Sequence, residues 1–402
     1  MHLVVIFENI GGYHAARLRG AHCACIARGG DWRLSAIQIT NAQNEHPWGE
    51  LSNDATPFPI FTAVQRENSR EALTHAEISA SGARVAAILK KLRPDVVAIP
   101  GWGFPYSRAA LNWCKKNRAA SVLMSESKWN DEPRAAWKEF LKSQLYVRHF
   151  GAAIVGAESH RDYLVKLGMK RAKIFTGYDA VDNDYFHQKA DEARANPALA
   201  RARQPAIPTR KFFLAVTRFI PRKNLRCLVE AFALYRKNFA QTGAEKSSEI
   251  NAPWDLVICG SGAGESDLRA QISEQKLDGS VHLPGFVGYR EIGDWYGLAG
   301  AFIHPALHEQ WGLVANEAMA AGLPVIVSNR CGCFADLVQS AGFGFDPTNA
   351  RELAEIMQKV SASSEAERAT LGEAAREQVR KFSPEHFGAG MLNAADAALA
   401  RV

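Results

Sequence analysis

The sequence predicts an α/β protein built as two doubly wound domains. Short, uniformly apolar runs alternate with helical stretches, as strands buried on both faces of a parallel sheet do. The alternation breaks at residues 201–210, which hold two prolines and no apolar periodicity, and then restarts. A chain of 402 residues also exceeds what a single hydrophobic core usually organises.

Taken in order, Leu3 to Phe7 reads as the first strand, with a Gly11-Gly12 turn and a helix from about Tyr13 behind it. Ser81 to Leu92 reads as a helix leading into a strand at Asp95 to Pro100. Strands follow at Ser121 to Met124 and Ala152 to Val155, separated by the helix-rich segment Pro133 to Phe150. Beyond the linker, strands are expected at Phe212 to Val216, Asp255 to Cys259, Val281 to Leu283, Ala301 to Ile303 and Pro324 to Val327. Gln241 to Ala252 reads as a polar surface loop. The expected partition is 1–205, 206–383 and a closing helix, 384–402, that returns to the first domain across a cleft between the two.

With 47% hydrophobic and 22% charged residues the balance is that of a soluble enzyme. The apolar runs fall far short of the roughly 20 residues of a membrane helix, and no secretory leader is seen, so the expected location is the cytoplasm. Seven cysteines do not suit a disulfide framework. The pairs Cys23/Cys25 and Cys331/Cys333 lack the spacing of a zinc site and read as buried or idle thiols. The formal net charge is +6, and Arg17, Arg19, Lys90, Lys91, Arg93, Lys115, Lys116 and Arg118 crowd the first third. They read as solvated helix faces, with peripheral contact to an anionic inner membrane face as the alternative. No nucleic-acid-binding module accompanies them.

Two segments carry the chemistry. His308-Glu309-Gln310-Trp311-Gly312 follows a strand ending at His304 and precedes a helix from Leu313 through Val314 to Glu317. Trp311-Gly312 reads as a flexible turn, and the helix start behind it as an anion site fit for a diphosphate. Glu309 and Glu317 lie on opposite sides of that turn, so they suit two ends of one ligand rather than an acid/base pair. In Thr217-Arg218-Phe219-Ile220-Pro221-Arg222-Lys223, Arg218 and Lys223 flank a proline turn at a strand's carboxyl end, where open α/β sheets bind ligands. There they can neutralise a leaving diphosphate.

Arg218, Lys223, the Gly260-Ser261-Gly262 loop, the Glu309/Glu317 pair in an E-x7-E pattern and the Gly-Leu-Pro-Val-Ile-Val-Ser run from Gly322 resemble the retaining GT-B glycosyltransferases of family 4. More loosely, Ile10-Gly11-Gly12 and the segment Tyr178 to Phe186 are similar to the family's N-terminal glycine loop and pre-linker. The resemblance implies a GT-B fold and transfer of a sugar from a nucleotide diphosphate donor to a saccharide, lipid-linked or small-molecule acceptor. It implies no metal and no cofactor, the nucleotide sugar being a co-substrate. Glu309 would hold the donor sugar and Glu317 the ribose. Arg218, Lys223 and the amides of Trp311, Gly312, Leu313 and Val314 would hold the diphosphate, with Gly260, Ser261, Phe286 and Val287 near the base. Gly11 and Gly12 would admit the donor phosphates. Gln310 stands where the family commonly has glycine, which narrows the sugar pocket, and Asp336 where it often has glutamate. Ser125-Glu126-Ser127 stands where a histidine is usual, leaving Glu126 and His14 as acceptor-side candidates.

Other readings compete. Asp182-Asn183-Asp184 matches the metal motif of GT-A enzymes but reads as a turn with Asx capping. Gly260-Ser261-Gly262-Ala263-Gly264 has its third glycine one residue early for a dinucleotide fingerprint, and no acid closes the next strand. Among enzymes, a GT-B sugar-nucleotide epimerase is the strongest alternative.

Overall fold

The structure is a computed structural model that describes residues 1–29, 31–41, 56–66, 73–131, 133–241 and 252–400. Nearly all of the expected polar loop at 241–252 lies outside them. The chain divides into two units, Met1–Asp182 with Phe382–Val402, and Asn183–Lys381.

The first unit contains β1 (His2–Phe7), α1 (Gly12–Ala27), β2 (Arg33–Thr40), β3 (Ile60–Val64), α2 (His75–Leu92), β4 (Val96–Pro100), α3 (Pro105–Asn117), β5 (Ala120–Ser125), α4 (Ala136–Leu145), β6 (Ala152–Val155), α5 (Glu158–Lys166) and β7 (Ile174–Thr176). The second begins with α6 (Asn183–Ala195), α7 (Pro197–Arg203), β8 (Phe212–Val216), α8 (Leu225–Gln241), β9 (Asp255–Cys259) and α9 (Glu265–Glu274). It continues through β10 (Val281–Gly285), α10 (Ile292–Leu298), β11 (Ala301–His304), α11 (Leu313–Ala320), β12 (Val325–Ser328), β13 (Phe343–Phe345), α12 (Ala350–Ala362) and α13 (Glu365–Val379). The last helix, α14 (Pro384–Leu399), belongs to the first unit.

The first sheet runs β3-β2-β1-β4-β5-β6-β7, all parallel. β1 shows why its apolar run is uniform. Leu3, Val5 and Phe7 join Leu18, Phe387 and Met391 in one core, while Val4 and Ile6 join Val85, Leu89 and Leu111 in another. α1 and α14 touch backbone to backbone, since a Cβ on Gly20 would lie 1.9 Å from the Pro384 carbonyl oxygen. Three strands of this sheet lie outside the strands expected. β2 carries Ser35 and Gln38 in an otherwise apolar run, and the sheet satisfies both: Ser35 Oγ lies 2.9 Å from His2 Nε2, and Gln38 Nε2 donates to Thr62 Oγ1 at 2.9 Å. β3 and β7 are short edge strands.

The second sheet runs β10-β9-β8-β11-β12-β13, again parallel, and its edge strand β13 was likewise not expected. The boundary before it lies at 182/183, not at 205/206. α6 and α7 pack within this unit, with Phe186 against Tyr289 and Tyr296 at 5.3 and 6.0 Å and Arg203 bonded to Asp294 at 2.6 Å. The proline-bearing stretch is therefore a loop inside the unit, not a linker between domains.

Two smaller expectations also change. Asn183 and Asp184 open α6, and Asp182 is ion-paired to Arg19, so the tripeptide is a helix start. Arg17 is no solvated charge: it is 1% exposed, donates to the Ala180 carbonyl at 3.0 Å and lies 4.7 Å from the Tyr178 ring centroid. Among the described residues no helix is long and apolar enough to cross a membrane.

Candidate functional site

In the second sheet the order reverses between β8 and β11, and an open α/β sheet forms its binding crevice at such a reversal. The loops leaving these two strands are tied together. Leu307 N donates to the Arg222 carbonyl at 2.9 Å, and Asn224 Nδ2 donates to the carbonyls of Pro305 and Pro347 at 3.1 and 2.8 Å. Asn224 takes φ +58°, a left-handed conformation that asparagine tolerates.

This tie brings opposite charges together. Lys223 Nζ pairs with Glu309 Oε2, and Arg222 Nη1 lies 2.8 Å from Glu309 Oε1, so both carboxylate oxygens are engaged. Burial alone would raise the Glu309 carboxyl, but His304 and Lys223 hold it well below the usual carboxylate range. His304 Nε2 lies 3.7 Å from Glu309, and burial lowers its imidazole below the usual histidine range. Arg222 and His304 were not singled out from the sequence. Adjacency to Lys223 and the end of a strand were the available signals.

The glycine loop after β9 braces the basic loop. Phe219 N donates to the Ser261 carbonyl at 2.8 Å, and a Cβ on Gly260 would lie 1.8 Å from the Thr217 carbonyl oxygen. Gly260 at φ +144° thus permits a close backbone approach that no other residue would. Its N–H donates to Gly285 O at 2.8 Å, which brings the end of β10 alongside. Phe286 there is 53% exposed, Val287 is half-buried, and Arg218 is exposed at the head of the basic loop.

The turn before α11 is fixed rather than flexible. Trp311 is buried and its Nε1 donates to Asn316 Oδ1 at 2.8 Å, while Gly312 takes φ +107° as the helix cap. From the other side, Gly332 N donates to Glu309 O at 3.1 Å and Cys333 N to Trp311 O at 3.2 Å. The buried thiols of Cys331 and Cys333 thus belong to a turn that clamps residues 309–311. Gln310 is exposed and Leu313 and Val314 are half-buried. Glu317, on the first turns of α11, is 2% exposed, and burial pushes its carboxyl well above the usual range. Tyr296 OH donates to its Oε2 at 2.7 Å. The two glutamates of one segment are therefore electrostatic opposites.

The remaining candidates lie in the first unit. Gly11 caps α1, Gly12 is its first residue, and Gly11 N donates to His14 Nδ1 at 3.3 Å. The His14 ring sits 4.5 Å from that of Phe7. Glu126, just past β5, is half-buried; burial first, and then the Glu126 charge, raise the carboxyl of Asp179.

Residues 199–378, nearly all of the second unit, match the family model described as "Glycosyl transferases group 1". This unit belongs to the glycosyl transferases group 1 family. Two relatives extend the match. The chain is 30% identical to the O-antigen chain mannosyltransferase B of Escherichia coli over 43% of its own length and 42% of that protein's. It is 30% identical to the alpha-monoglucosyldiacylglycerol synthase of Acholeplasma laidlawii over 60% of each. The matches thus span only about half of these relatives. A glycosyltransferase structure from Rickettsia africae aligns over 100% of this chain and 99% of its own, with a TM-score of 0.73 at 16% identity. That likeness and the two parallel sheets agree with the GT-B class of fold. By name, these two relatives of the group 1 domain are a transferase and a synthase.

Proposed function

We propose that the protein is a retaining, metal-independent glycosyltransferase that moves a sugar from a nucleotide diphosphate donor to a saccharide, lipid-linked or small-molecule acceptor. The observation that carries this reading is the Lys223–Glu309–Arg222 cluster at the reversal point of a group 1 domain. Without a donor, Glu309 neutralises the two cations. When a diphosphate arrives it takes Lys223 and Arg222, joined by Arg218 and the amides of residues 311–314, and the Glu309 carboxylate turns to the sugar hydroxyls. Glu317, its carboxyl oriented by Tyr296, takes the ribose, and the base lies along Gly260, Ser261, Phe286 and Val287. Glu126 and His14 remain the acceptor-side candidates.

In the transfer itself the bond between the anomeric carbon and the phosphate oxygen breaks, its electron pair leaving with the nucleoside diphosphate. The acceptor oxygen bonds to the same face, and its proton passes to the departing phosphate. NMR of the first-formed product tests the course: an α-linked donor should give an α product with excess EDTA present. A β product, or activity that returns only with added manganese or magnesium, overturns this reading.

A further inference from the structure

α4 is polar inside and apolar outside. Its one buried residue is Glu139, which accepts a hydrogen bond from Tyr163 OH at 2.6 Å and lies 3.4 Å from Arg134 and 2.8 Å from Lys142. Arg134 also donates to the carbonyls of Lys128 and Trp129 at 2.6 and 2.9 Å, pinning the loop before the helix. On the outside, Trp137, Phe140, Leu141 and Leu145 recur at the spacing of one helix face and are 63%, 63%, 41% and 54% exposed. With Trp129, five of the eleven large hydrophobics exposed among the described residues fall between 129 and 145. Scattered apolar residues need no explanation, but a cluster on a rigid support does.

Basic groups accompany this face. Lys138 Nζ lies 5.6 Å from the Trp137 ring centroid and Lys166 Nζ 4.4 Å from that of Trp129. Just past the helix end, a cavity of about 380 Å³ is lined by Lys115, Arg118 and His149, with no acid in its walls.

We propose that α4 and this basic cavity seat the first unit on an anionic lipid bilayer, with the apolar face at the acyl boundary and Lys115, Arg118 and Lys138 among the headgroup phosphates. Aromatic–lysine pairs suit that interface, where one side of the contact is apolar and the other charged. A second copy fits worse, because an isologous contact would set these cations against their own copies.

The test is co-sedimentation of the full chain with phosphatidylglycerol-containing or pure phosphatidylcholine vesicles, at low and high salt. The parent should bind the anionic vesicles and release at high salt. Trp137→Ser/Phe140→Ser should weaken binding by about 10-fold or more, and Lys115→Glu/Arg118→Glu should remove most of the salt dependence. These side chains are largely exposed, so thermal midpoints should not move, and any nucleotide binding by the parent should be unchanged in the variants, which separates this proposal from the donor reading. Equal affinity for both vesicles, no vesicle binding, or indifference to Trp137→Ser/Phe140→Ser overturns the proposal. So does self-association in sedimentation velocity that this double substitution abolishes.

Discussion

The two sheets share a strand order that reverses after its first strand, yet the units treat their charges in opposite ways. In the second unit the side chains of Arg222, Lys223 and Glu309 remain 32%, 11% and 11% exposed. In the first, those of Arg17 and Asp179, 3.8 Å apart, are 1% and 0% exposed. The open cluster can exchange one partner for a ligand, whereas the sealed pair has nowhere to turn. Access, more than charge, separates a candidate site from a structural brace.

Substitutions probe that difference. Arg17→Met takes away the donor to the buried Ala180 carbonyl and the cation over the Tyr178 ring, and should cost about 1–3 kcal/mol in urea denaturation. Unchanged stability would mean that the sealed pair braces nothing. Lys223→Ala should do the reverse, lowering turnover by about 10²-fold while the fold persists. Near-normal turnover in the folded variant would remove Lys223 from the transfer step. The smallest effect separates the two glutamates. Burial raises the Glu317 carboxyl in the fold above its unfolded value of about 4.3, so the stability it contributes is present at low pH and falls as pH rises past that value. Glu317→Gln keeps an acceptor for Tyr296 and escapes that loss. Its melting temperature should exceed the parent's by about 2–4 °C near pH 8, the effect of about 1 kcal/mol in a domain of this size, and by less near pH 5. A constant offset across pH would contradict a raised Glu317 carboxyl.

The sequence showed most plainly what lies in local pattern. Buried central strands such as β4 and β8 are uniformly apolar, and the Glu309/Glu317 spacing sits within one loop and helix. Features that depend on distant partners were hidden. β2 carries polar residues that only its neighbours satisfy. Arg17 reads as surface charge until residues 178–180 fold onto it, more than 160 positions later. α6 and α7 show their allegiance only through Tyr289, Tyr296 and Asp294, roughly 100 residues on. The proline-bearing stretch after them therefore passed for a domain boundary. Arg222 adjoined a recognised lysine, but its role appears only when Glu309 arrives from the loop after β11.

The central claim is that the second unit holds a nucleotide diphosphate with cations of its own chain. Thermal denaturation with UDP, GDP and ADP, each in excess EDTA, tests it most directly. One of the three, present at about 100 times its dissociation constant, should stabilise the parent by about 2.7 kcal/mol and Lys223→Ala far less. No stabilisation by any of them, or stabilisation only after manganese or magnesium is added, would contradict it.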